Sequence, residues 1–159
     1  MYFDALSFLE DEREAWRPFE ALDELTDDQL EQPVQALNGW TGRDLMAHLI
    51  AWLEVSLAAA KELAVNETSP TLARIDAEWE AGSDALNDRL LAEWRELPME
   101  EVRRRFRTVP GELRGYLTVV PETRWIKHAQ HQESFVGESL EHYEDHLADL
   151  QAVLAQAGR

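Results

Sequence analysis

The chain has 159 residues, 45% of them hydrophobic, with six Trp but only seven Gly and six Pro; this profile excludes disorder and a Gly/Pro-punctuated all-β fold and makes helix the expectation. Its 32 acidic residues against 15 basic ones give a formal charge of −17, which repels a phosphate backbone and excludes nucleic acid as a partner. There is no Cys, so disulfides, thiolate ligands and a cysteine nucleophile are all excluded, and any thiol chemistry must use a thiol from outside.

Met1 to Glu10 carries Asp4 and Glu10 and lacks the basic-then-apolar pattern of a secretory or transit peptide, so a cytoplasmic location is expected. The first helix is expected from about Tyr2 into the Leu22 to Leu25 region, with Phe3, Leu6, Leu9, Trp16 and Phe19 at helical spacing. Thr26 followed by Gln29 has the form of a capping box that opens a short turn closed by Pro33, and a loop through Asn38 and Gly39 follows. Thr41 with Asp44 is the next N-terminal signal, because the hydroxyl can accept an orphan amide while the carboxylate faces the positive helix end. The second long helix then runs from Gly42 to about Val65. Glu54, Lys61 and Glu62 interrupt its apolar run, so it falls short of a membrane span.

Ser69 as N-cap and Pro70 at the first helical position begin a third helix, carried by Leu72, Ile75, Trp79, Leu86, Leu90 and Trp94 and stopped near Pro98. Met99 to about Thr108 reads as a further helical segment. Pro110, Gly111, Gly115 and Pro121 then break regularity, which leaves Val109 to Trp125 without an assignment. The last helix is expected over Ser139 to about Ala155, with a start as early as Ile126. Long helices, short early connections and a longer stretch before the last helix point to an all-α antiparallel four-helix bundle with a crossover, one domain over residues 1–159. The basic residues Arg103, Arg104, Arg105, Arg107, Arg114, Arg124 and Lys127 read as a helix surface balancing Glu100, Glu101, Glu112 and Glu122.

The five His stand at positions 48, 128, 131, 142 and 146. His142 and His146 are four apart, so on a helix both imidazoles project from one face within reach of a single ion. Leu140, Tyr143, Leu147, Leu150 and Leu154 form the buried stripe of that helix and place the two His on its flank, beside Phe135 and Val153. His48 flanks the stripe of Leu45, Leu49, Trp52 and Ser56 in the same way. Packed side by side, the two helices offer three neutral nitrogens to one metal and leave positions open for water and substrate. The bland alternative is a set of hydrogen-bonded or half-exposed flank residues. His128 and His131, three apart near an uncertain helix start, read as polar surface or pocket rim.

The segment Trp40-Thr41-Gly42-Arg43-Asp44-Leu45-Met46-Ala47-His48-Leu49-Ile50-Ala51-Trp52 resembles the opening of the second helix in DinB/YfiT-like proteins. His142-Tyr143-Glu144-Asp145-His146-Leu147 resembles the H-Y-x-x-H-[LI] segment of their last helix, and the intervening length fits as well. The resemblance implies a four-helix bundle, often a homodimer, in which His48, His142 and His146 bind a divalent metal, commonly zinc or nickel. Members with known chemistry include relatives of mycothiol-dependent maleylpyruvate isomerase and bacillithiol S-transferases, and the ClbS/DfsB-like branch is associated with protection against a reactive toxin. The first group can use a carboxylate where this chain has His142, which separates the isomerisation itself from what the resemblance implies here.

A dication held by three neutral imidazoles lowers the pKa of bound water to about 7 in favourable zinc sites, and would deprotonate a bound low-molecular-weight thiol by the same logic. The expected reaction is therefore transfer of such a thiol to a small reactive electrophile, or its hydrolysis. The alternative is a non-catalytic bundle that binds a small ligand, metal or protein. Trp52 and Trp125 are the expected pocket walls, while Glu138 and Asp149, on the polar side of the His pair, are the expected acceptors for ring N–H groups.

Overall fold

The computed structural model describes residues 1–159, and its regular elements are all helical. In chain order they are α1 (Ala5–Trp16), α2 (Asp27–Leu30), α3 (Gly42–Val65), α4 (Pro70–Arg95), α5 (Met99–Leu117), α6 (Ala129–Val136), α7 (His142–Asp145) and α8 (Leu147–Gln156). Tighter 3-10 turns cover Arg17–Glu24, Gln35–Leu37 and Glu122–Arg124. No helix is long and apolar enough to cross a membrane.

The axis of the molecule is α3, buried on nearly every side, as an all-round apolar helix must be. Both α4 and α5 pack along it, and α8 and the segment after α6 cover its remaining side. Its start is fixed at close quarters: a Cβ on Gly42 would lie 2.9 Å from Val153 Cγ1 and 3.0 Å from Leu30 Cδ2. Only glycine lets α3 approach α8 and α2 this closely. The main core gathers 34 buried residues, and a satellite of Trp52, Val55, Ile75 and Leu86 joins α3 to α4.

Sequence and structure differ in three places. The first helix ends at Trp16 and tightens into 3-10 turns where Pro18 enters, and its inward face is Phe8, Glu12 and Trp16. Phe3 and Leu6, expected in the stripe, are exposed. The stretch without an assignment is largely helical, because α5 runs through Pro110 to Leu117. Burial of Phe106, Val109, Pro110 and Leu113 compensates for the hydrogen bond that a mid-helix proline removes.

The last helix begins at Ala129, within the anticipated range, but it is interrupted twice. Residues Gly137–Glu141 form a π-helical turn, and His146 (φ −102°, ψ 6°) breaks the helix before α8 resumes. A π turn shifts the angular phase of everything after it. Leu147, expected at the centre of the buried stripe, follows the break at His146 and is exposed, whereas Tyr143, Leu150 and Val153 are buried. Tyr143 Oη donates to Glu12 Oε1 at 2.8 Å, and Arg114 Nη1 reaches Glu12 Oε2 at 2.9 Å. This buried carboxylate ties α1, α5 and α7 together.

Candidate metal centre

His48 sits two turns into α3, whose first turn is fixed by reciprocal capping. Thr41 Oγ1 accepts from the Asp44 amide at 3.0 Å, and Asp44 Oδ2 accepts from the Thr41 amide at 3.1 Å. Arg95 then grips both Asp44 oxygens, at 3.0 and 3.2 Å, joining α4 to the same cap. His142 opens α7 and His146 occupies the helix break, so the two rings flank buried Tyr143. Contacts of α3 with the π turn and α8 bring all three His together.

His48 Nε2 stands 2.8 Å from His142 Nε2 and 3.1 Å from His146 Nε2. Ligand bonds of about 2.0–2.1 Å around a tetrahedral ion put neighbouring nitrogens roughly 3.3 Å apart, so these two separations lie close to those around a shared ion. The protonation pattern points the same way. Asp149 Oδ2 lies 2.6 Å from His146 Nδ1 and accepts from it, which places a proton on Nδ1 and makes Nε2 the atom a metal would take. His48 Nε2 holds either one proton or one lone pair and cannot make two good hydrogen bonds at once. Three bare nitrogens around a cation satisfy every one of these contacts. His142 Nδ1 is buried with no partner.

Burial, reinforced by the neighbouring His146, pushes His48 down from 6.5 to about 4. Burial, with His48 and His142's other neighbour His146, pushes His142 down to about 3. Both rings are therefore neutral and able to coordinate at neutral pH. The triad opens onto a cavity of about 630 Å³ between α3, α4 and the segment from α6 to His146. Trp52 forms one wall, its indole N–H held by Asn87 Oδ1 at 2.9 Å.

The expected residues divide as follows. His48, His142 and His146 converge, each with a ligand atom within 4.8 Å of the others, an arrangement able to hold a metal ion. Asp149 is hydrogen-bonded to the His146 ring, and Trp52 lines the cavity. Trp125 does not: it is fully buried between Phe8 and Phe135, with ring centroids at 5.4 and 5.8 Å, because the turn at Glu122–Arg124 aims it into the core. Glu138 lines the cavity but bonds no imidazole, since the π turn rotates it toward α3, where Ser56 Oγ donates to its carboxyl. Burial, with Asp76 nearby, raises Glu138 to about 8, so it holds a proton at neutral pH.

His128 is the N-cap of α6, accepting from the His131 amide at 3.2 Å, and His131 Nδ1 donates to the Arg124 carbonyl at 2.6 Å. Neither lines the cavity. Residues not anticipated there are Trp79, which reads as core from its helical spacing, and Asn87, Asp76 and Glu133. A polar Asn one turn from Trp52's partner helix stripe gives no signal of its own, because its role exists only across the α3–α4 contact.

Comparison with curated proteins and with solved structures returns no significant match. A family model described as the mycothiol maleylpyruvate isomerase N-terminal domain matches residues 9–151, a span that contains all three converging His. The chain therefore belongs to the mycothiol maleylpyruvate isomerase N-terminal domain family, a DinB/YfiT-like group of all-helical proteins often associated with metals and thiols.

Proposed function

We propose that His48, His142 and His146 hold a divalent metal, zinc or nickel, in a four-helix bundle of the DinB/YfiT type, and that the site transfers an external low-molecular-weight thiol to a small reactive electrophile or hydrolyses it. The observation that carries this reading is the convergence of three ring nitrogens at ligand spacing, with Asp149 setting the tautomer of one. A divalent ion in such a site supplies Lewis acidity, lowering the pKa of a water or a thiol.

The chain's own groups do the rest. Asp149 keeps the His146 proton on Nδ1, so the Nε2 lone pair stays directed at the centre. Trp52 excludes water from one side of the cavity. In the transfer, a sulfur–carbon bond forms, the bond from that carbon to its leaving group breaks, and the thiol proton is lost to solvent. Glu138, which holds a proton at neutral pH, is placed to donate it to the departing group. With no Cys in the chain, the incoming thiol meets no competitor.

The test pairs metal content with activity. Protein purified without a His tag is assayed for zinc and nickel, and for conjugation of a thiol to a generic electrophile with and without chelator. His48→Ala, His142→Ala and His146→Ala should lose metal and activity while keeping helical circular dichroism, because the core folds from its own burial. Variants that retain full metal, or a chelated protein that unfolds, would sink the reading.

A further inference from the structure

Five carboxylates line the cavity, those of Asp76, Glu133, Glu138, Glu141 and Asp145, and no Lys or Arg does. In a chain of charge −17 some acidic clustering is expected, so pairing is the informative quantity. Of the 27 acidic side chains outside the cavity, 13 are paired with Arg or Lys, as Asp23 is with Arg103 and Arg107 and Glu101 with Arg104 and Arg105. None of the five cavity carboxylates takes part in an ion pair.

The metal alone does not balance them. Counting Glu138 as neutral leaves four carboxylates, and a dication at the triad offsets two, so the lining keeps two uncompensated negative charges (4 − 2). The same cavity presents an aromatic pair. Trp52 and Trp79 meet edge to face with centroids 5.7 Å apart, and Trp79, on α4, remains 50% exposed. An exposed indole beside unpaired carboxylates is a surface that attracts a positive charge through both its π face and its acidic rim.

We infer that the molecule admitted to this cavity is an organic cation, an aromatic or apolar body bearing an ammonium or similar group, which packs on Trp52 and Trp79 and directs its charge to the Asp76 and Glu133 side. The inference rests on the reading of this cavity as the reaction site and names the charge class of what enters it. A dicarboxylate of the maleylpyruvate type suits the lining less well, because any of its charges not held at the triad meets like charge with no guanidinium or ammonium to offset it.

The test uses three probes sharing one ring: tryptamine (cationic), tryptophol (neutral) and indoleacetate (anionic). Their Kd values are measured by calorimetry at low salt on the full chain, both zinc-loaded and chelator-stripped. The stripped protein matters because a carboxylate probe can bind zinc directly. Tryptamine should bind about tenfold more tightly than tryptophol in both forms, with indoleacetate weakest in the stripped form, and added salt should shrink the preference. The double variant Asp76→Asn, Glu133→Gln, at exposed positions where folding is not at stake, should reduce the preference to threefold or less, by a rough count of the charge removed. Trp79→Ala should weaken tryptamine and tryptophol alike.

Equal affinity for tryptamine and tryptophol, tighter indoleacetate in the stripped protein, or a preference untouched by the double variant would overturn the inference. Failure of the wild type to bind zinc, with the cation preference intact, overturns the metal reading instead and leaves the charge preference standing.

Discussion

In metal-free protein, lowering the pH from about 7 to about 5 will destabilise the fold through His48 and His142. Their ordinary value is 6.5, and burial among neighbouring imidazoles holds them at about 4 and about 3. Between those limits the unfolded chain takes up protons that the folded chain refuses, so stability falls as the pH falls. At about 1.4 kcal/mol per pH unit, the interval from 6.5 to about 5 costs roughly 2 kcal/mol per ring, or about 4 kcal/mol for both. Glu138 acts with the opposite sign: its folded value of about 8 exceeds the ordinary 4.5, so it favours the fold as the pH drops through that window. The comparison must therefore cancel it. Urea unfolding followed by circular dichroism at both pH values, on wild type and on His48→Gln, His142→Gln, isolates the two rings. The wild type should lose about 4 kcal/mol more than the double variant, and parallel losses within about 1 kcal/mol would refute the claim that these rings are buried neutral.

Asp149→Asn should weaken metal affinity by about 10- to 100-fold with unchanged circular dichroism, because the amide can present a donor to His146 Nδ1 and loosens the ring's orientation; metal competition with a chromophoric chelator reads this. Glu12→Ala strands the Tyr143 hydroxyl and the Arg114 guanidinium, and should cost about 3 kcal/mol or more in urea unfolding. Gly42→Ala places a methyl against Val153 and Leu30, side-chain ends that can shift, so a loss of about 1–2 kcal/mol is expected in the same assay.

The helix starts were legible because their signals are local: Thr26 with Gln29 and Thr41 with Asp44 both form the capping boxes their spacing implies. His48, His142 and His146 were legible for a related reason, since a four-residue spacing survives the π turn that precedes His142. Leu147 was not, because it follows the break at His146 and the phase counted back from Leu140 no longer applies. Trp79, in step with Leu72 and Ile75, does turn toward α3 and meets Trp52, but it stands at the open cavity and stays half-exposed, which spacing along α4 alone does not reveal. Pro110 and Gly111 are breakers by propensity, yet the apolar face around them holds α5 together, a tertiary effect with no local signature. Trp125 and Glu138 changed roles because each follows or occupies a non-α turn whose direction periodicity cannot supply.

The π turn at Gly137–Glu141 makes the last helix a phase shifter. Its surplus residue turns whatever comes afterwards by about 100° relative to the helix before it, so α6 can bury Phe135 while His142 still faces α3. The angular setting comes only in whole-residue steps and has no gradual intermediates. Deleting one residue within 137–141 would remove the surplus and let the helix close into regular α geometry with both imidazoles still turned to His48, whereas closing the full-length turn into α geometry would carry them around the axis together by about 100°. The phase of the site is thus held by one surplus residue in the last helix, and a second residue added there would turn both imidazoles away from His48 by one further step.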